Sequence, residues 1–165
     1  MQKEMGMLCF FQKHKTVKGP KMADICGKQK MRIALVGCSK SKKAGCHPAK
    51  DLYTSPRFVS AQKHARRHFD KMFILSAKHG LLYPTRRIKN YDVTLHAMSA
   101  NERKRWSARV ARQITKVVPL GAEIHFFCGK KYHEFLSLLL LEHKCFFPLK
   151  GLKLGQQLRW YKNNP

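Results

Sequence analysis

Two stretches of the sequence carry residue types suited to chemistry, and each begins where a short apolar run stops. Ile33-Ala34-Leu35-Val36 runs into Gly37, Cys38, Ser39 and Lys40, with Lys42 and Lys43 close behind. Met72-Phe73-Ile74-Leu75 runs into Ser76, Ala77, Lys78 and His79. The first set offers a thiol, hydroxyls and ammonium groups. The second offers a hydroxyl, an ammonium and an imidazole that can act as acid or base. A small-residue turn with several lysines can hold a phosphate through backbone N–H groups and charge. It is not a P-loop, because the G-x4-G-K-[ST] spacing is missing. Between the two stretches, Tyr53, Ser55 and Arg57 add an aromatic ring, a hydroxyl and a guanidinium.

Carboxylates are scarce enough to be taken one at a time. Past residue 30 they are Asp51, Asp70, Asp92, Glu102, Glu123, Glu134 and Glu142. Glu102, Glu134 and Glu142 fall on predicted helices, where charge usually faces water. Asp70 and Glu123 stand where strands begin, away from the strand ends that carry the candidate groups. Asp51 sits at a helix start, where it suits the helix dipole. Asp92, in Asn90-Tyr91-Asp92-Val93-Thr94, is the best candidate for a general base or for a group that stabilises a cationic transition state. The competing reading is an Asx-turn. His79 is the companion acid or base, or else a histidine that fixes the turn before Gly80. Cys38 is a candidate nucleophile in an electropositive setting, or a small residue packed in a tight turn. Tyr53 and Tyr91 could stack a nucleobase, or pack half-buried with a wet hydroxyl.

Charge points to the partner. In 165 residues, 34 Lys and Arg stand against 9 Asp and Glu, a formal charge of +25. Such a field calls for a polyanion, and nucleic acid is the first candidate, DNA or RNA. A membrane is not expected, since no apolar run approaches ~20 residues. The six cysteines are irregularly spaced and follow no long apolar leader. They read as reduced thiols of a cytoplasmic protein. Cys38, Cys46 and His47 match no common zinc spacing, so no metal and no cofactor is expected.

The elements that must position these groups alternate. Residues 1–30 show no hydrophobic period and read as a basic arm that could lie along a phosphate backbone, or as an over-long start. From residue 31 a single domain is expected. Strands are predicted at 32–37, 71–76, 122–128 and 144–149. Helices are predicted from Ser55-Pro56 to about His68, from Ser99 to about Val118, over 130–143, and within 151–163. Ser55 or Thr54 as the cap, with Pro56 at the first helical position, is a start signal. Ser99-Ala100-Asn101-Glu102 has capping-box spacing. On the second helix Arg105, Arg109 and Arg112 form a basic stripe that could track a backbone. Unalternated apolar strands between helices predict a small α/β fold, doubly wound, with a mostly parallel sheet of about four strands and helices on both faces. In such sheets, chemistry gathers beyond the carboxyl ends of the strands.

The blocks V-G-C-S-K-S-K-K, D-L-Y-T-S-P-R-F, F-I-L-S-A-K-H-G-L-L, Y-D-V-T-L and P-L-K-G-L-K-L-G-Q-Q-L resemble the family called domain of unknown function 6884, over about Met31 to Trp160. More distantly, the chain is similar to the core domain of archaeosine synthase, which attaches lysine to a modified tRNA base. That resemblance gives Cys38, Ser39, Lys42, Lys43, Tyr91, Asp92 and Glu102 the corresponding positions. The proline that follows the paired lysines there is replaced here by Ala44, and an appended RNA-binding domain is not expected. By layout alone, the chain resembles uracil-DNA-glycosylase-like proteins.

Together these readings predict an enzyme that cleaves or exchanges the base–sugar bond of a base in DNA or RNA. Asp92, His79 and Cys38 are its catalytic candidates. Ser39, Lys40, Lys42, Lys43, Tyr53, Ser55, Arg57, Ser76, Lys78 and Tyr91 are expected to bind substrate, and Arg105, Arg109 and Arg112 the backbone. The alternatives are a non-catalytic nucleic-acid-binding protein, and an enzyme modifying a tRNA base or acting on free nucleotides.

Overall fold

A computed structural model describes residues 30–165. The predicted arm, all but Lys30 of it, lies outside the described residues. The main sheet has five strands in the order β4-β3-β1-β6-β7: β1 Arg32–Gly37, β3 Lys71–Ser76, β4 Gly80–Leu82, β6 Glu123–Phe127 and β7 Lys144–Phe146. The pairs β1–β3, β1–β6 and β6–β7 are parallel, and β4 runs antiparallel on the edge. A two-stranded antiparallel ribbon, β2 Cys46–Pro48 with β5 Arg87–Lys89, stands apart.

The central strands are apolar without alternation because both of their faces are covered. Ile33, Ala34, Leu35 and Val36 are fully buried. The chain passes from β1 through α2 (Pro56–His68) to β3 on one side. It then returns through α3 (Ala100–Ile114) to β6 on the other side of β1. Right-handed crossovers in opposite directions put their helices on opposite faces. Accordingly α2 packs on β1 and β3 and against α5 (Leu154–Asn163), whereas α3 packs on β4 and α4 (Lys130–His133). This is the expected doubly wound α/β architecture.

The start signals work as read. Ser55 accepts a hydrogen bond from the Phe58 N–H, with Pro56 opening α2. Ser99 and Glu102 form a reciprocal capping box on α3. Several boundaries differ. The fifth strand, β4, is too short to show a period, and it exists because Gly80, at φ +76°, turns the chain back on β3. The leucine-rich segment predicted as one helix over 130–143 is α4 followed by a 3₁₀ turn at Ser137–Leu139. Its leucines occupy no single helical stripe: Leu136 and Leu140 are buried, while Leu138 and Leu141 are 66% and 87% exposed. The strand expected over 144–149 stops at Phe146, and the last helix begins at Leu154. Asp51 lies in the four-residue helix α1, Ala49–Leu52, and the cap of α2 is Ser55.

Candidate functional site

The strand order reverses between β1 and β6, and their carboxyl ends nearly touch. A Cβ on Gly37 would stand 2.6 Å from the Cβ of Cys128, so only glycine lets the two strand ends close up here. Beyond this reversal, where open α/β sheets place their ligands, lies a cleft of about 760 Å³. That volume is within the usual range for a ligand pocket.

Five segments distant in sequence build the cleft. The turn after β1 gives Cys38, Ser39, Lys40, Ser41 and Lys42, and the start of α2 gives Ser55, Pro56 and Arg57. The loop after β5 gives Asp92, Val93, Thr94 and His96. Tyr132 comes from α4, and Leu154 with Leu158 from one face of α5. The floor is a thiol–phenol pair: Cys38 Sγ lies 3.1 Å from the Tyr132 hydroxyl, and both residues are buried. Burial pushes the Tyr132 phenol far up, so it stays protonated. Leu154, Leu158, Pro56 and Val93 make an apolar wall, and Lys40, Lys42 and Arg57 a cationic one. No described ion pair involves Asp92 or these cations.

A second hydroxyl cluster lies behind the cleft. The Tyr91 hydroxyl is 2.8 Å from that of Tyr53 and 2.7 Å from Ser76 Oγ. Ser76 Oγ also accepts the His79 N–H, and the Ser76 carbonyl accepts the Trp106 indole N–H at 3.0 Å. Burial, first of all, raises both phenols well above the ordinary range. The ammonium of Lys42 sits 4.6 Å from the centre of the Tyr91 ring, a cation–π contact that anchors the β1 turn on this cluster.

A family model described as "Family of unknown function (DUF6884)" matches residues 33–163. The chain belongs to this family. It is 34% identical over 143 residues to the uncharacterized protein YfjM of Bacillus subtilis (strain 168), an alignment that covers 78% of this chain and 91% of that protein.

Of the residues singled out in this DUF6884 chain, the cleft gathers Cys38, Ser39, Lys40, Lys42, Ser55, Arg57 and Asp92. Others stand elsewhere. Tyr53 is 2% exposed and Tyr91 8%, so neither ring offers a free face for a base to stack on. Ser76 is fully buried under them and holds the strand end. His79 packs edge-on against Tyr91 at 5.3 Å, outside the cleft; burial and then Lys78 lower its pKa. Lys43 and Lys78 are exposed and do not line the cleft. Glu102 is occupied by its capping box. Arg105, Arg109 and Arg112 are exposed on α3, but the Arg109 guanidinium is tied to the Lys78 carbonyl at 3.1 Å.

Tyr132, His96, Leu154 and Leu158 were not anticipated. Cys128-Gly129-Lys130 repeats the small-then-basic strand ending of Gly37-Cys38-Ser39-Lys40, an unused signal that Tyr132 stands just beyond a second strand end. His96 carries no comparable signal, since it stands in an irregular loop.

Proposed function

We propose that this protein acts on a base of a nucleic acid, cleaving or exchanging the bond between base and sugar. The observation that carries the reading is Asp92, the carboxylate lining a pocket whose other charged groups are two lysines and an arginine. As a base–sugar bond lengthens, positive charge builds on the sugar. Asp92 would stabilise that charge or accept a proton from the water that adds to the sugar carbon. The departing base takes the bonding electrons and needs a proton or a donor. Tyr132 and Cys38 at the floor and His96 at the wall are the groups that could supply one. His96 therefore takes the role first expected of His79. Lys40, Lys42 and Arg57 would hold the flanking phosphates.

A base inside a duplex cannot reach such a cleft, so it would be flipped out. The apolar wall of Leu154 and Leu158 replaces Tyr53 and Tyr91 as the surface against which it rests. The likenesses to the archaeosine synthase core and to the uracil-DNA-glycosylase-like layout support base chemistry by analogy. With its charge of +25, the protein is read as a DNA- or RNA-binding enzyme of the cytoplasm. Among the described residues no helix is long and apolar enough to cross a membrane.

The test is incubation of the purified protein with DNA and RNA oligonucleotides carrying normal and modified bases, with released or exchanged bases read by mass spectrometry. Base release that Asp92→Asn abolishes, with oligonucleotide binding retained, is the expected result. Full activity of that variant removes the carboxylate from the mechanism. Binding without any base chemistry across the set leaves a nucleic-acid-binding protein.

A further inference from the structure

Beside the deep cleft lies a shallower recess of about 410 Å³, lined by Lys40, Lys42, Asn90, Tyr91 and Asp92. The two cavities share Lys40, Lys42 and Asp92. Two ammonium groups and one carboxylate thus form the ridge between a larger compartment with an apolar wall and a smaller, more open one with a polar border. The Lys42 end of the ridge is fixed: its ammonium donates to the Lys40 carbonyl at 3.1 Å and rests on the Tyr91 ring.

This layout follows the order of groups along a polynucleotide. A base belongs in the deep compartment, against Leu154 and Leu158. Its sugar then reaches the ridge beside Asp92, and the phosphate that follows meets the two ammonium groups. The next nucleoside leaves the ridge on the far side, where Asn90 offers an amide that both donates and accepts. A free nucleotide would fill the deep compartment and leave the second empty.

We infer that the cleft is built for a strand, with a seat for the neighbouring nucleoside in the recess at Asn90. The inference rests on the base-acting reading above and adds to it a subsite for the nucleotide next to the target base.

Phosphate charge alone would favour longer ligands, so the comparison must hold charge nearly constant. Binding to the full chain is measured by calorimetry for the four nucleoside 3′,5′-bisphosphates and for the matching 5′-phosphorylated homodinucleotides, in both ribo and deoxy series. The dinucleotide gains a second nucleoside without gaining a phosphate. It should bind about tenfold tighter, the order expected of one added hydrogen bond at the Asn90 amide. In parallel, a dinucleotide carrying 4-thiothymidine at its second position is photocrosslinked, and the site is mapped by fragment-ion mass spectrometry. Attachment at Asn90 supports the seat, and attachment at Leu154 or Leu158 overturns it. Equal affinity for dinucleotide and bisphosphate also overturns the seat, leaving the base-acting reading to stand on the deep cleft alone. No binding of either compound at low salt overturns both readings at once.

Discussion

On the β3 side of the β1 end stand Tyr53, Tyr91 and Ser76; on the β6 side stands Tyr132 with Cys38. The first is a cluster of hydroxyls and the second a thiol–phenol pair; both are buried, and burial keeps all three phenols protonated. They differ in what they face. The β3-side hydroxyls spend their hydrogen-bonding capacity on one another and on the His79 N–H. The β6-side pair has a single mutual contact and borders the cleft. A buried polar group whose partners are all protein holds the fold, because leaving it unpaired is costly. One that borders a cavity keeps capacity for a ligand. The same division sorts the charges. The Asp70 carboxylate accepts the Arg32 N–H at 2.7 Å at the amino end of the sheet, whereas Asp92 and Lys40 at the carboxyl end have no described ionic partner.

The largest expected effect falls on the cleft side. Asp92→Asn should lower base turnover by about 10²–10⁴-fold, the range for a positioned acid–base group, with unchanged urea denaturation. A variant that unfolds instead would move Asp92 into the structural class and erase the contrast. On the closed side, Tyr91→Phe leaves Tyr53 and Ser76 short of a partner. It should cost about 1–3 kcal/mol in equilibrium urea unfolding, with turnover per folded molecule altered little. Tyr132→Phe is the mirror experiment. Its stability loss should be nearer 1 kcal/mol, accompanied by a fall of about tenfold in turnover, equivalent to one lost hydrogen bond. If the two tyrosine variants behave alike in both assays, the division between holding and facing groups fails.

Smaller effects are expected away from both clusters. Arg105→Ala combined with Arg112→Ala should lower the slope of log affinity against log salt by about 2, if each arginine meets one phosphate. An unchanged slope assigns the α3 stripe to solvent. The smallest effect concerns pH. Burial is the leading cause that holds His64, His125 and His133 below their ordinary value of 6.5. The unfolded chain then binds more protons near that pH, so stability rises with pH. Their contribution is complete above about 6.5 and is lost as pH falls through the lowered folded values. The melting temperature should therefore drop between pH 7 and pH 5. A rise over that interval contradicts the burial of these imidazoles.

Much of the frame was legible because its signals are local. The Ile33–Val36 run, the Ser55-Pro56 start and the Ser99–Glu102 box each act within a few residues, and each has the structure its spacing predicts. The leucine-rich segment after β6 was misread for the same reason. Its composition favours a helix, but the short return to β7 leaves room for only one turn of α-helix and a 3₁₀ turn. Among the site residues, Cys38, Lys42 and Asp92 were legible as strand-end or loop groups. Tyr53 and Tyr91 were legible as a pair, but their burial was not, since a tyrosine is amphipathic enough for either role.

What the chain determined by itself is the excess of positive charge, the apolar strands, the helix starts and the small supply of carboxylates and nucleophiles beyond them. These follow from composition and from periodicities of a few residues. Which groups share a cavity was decided by tertiary structure. The order β3-β1-β6 sets Cys38 against Tyr132, 94 positions away. The packing of α5 on α2 carries Leu154 and Leu158 to the mouth of the same cleft. The turn after β3 points His79 behind Tyr91, while the later loop brings His96 to the front. Strand order and crossover handedness are global properties, satisfied by burying the whole sheet on both faces, and no window of sequence contains them.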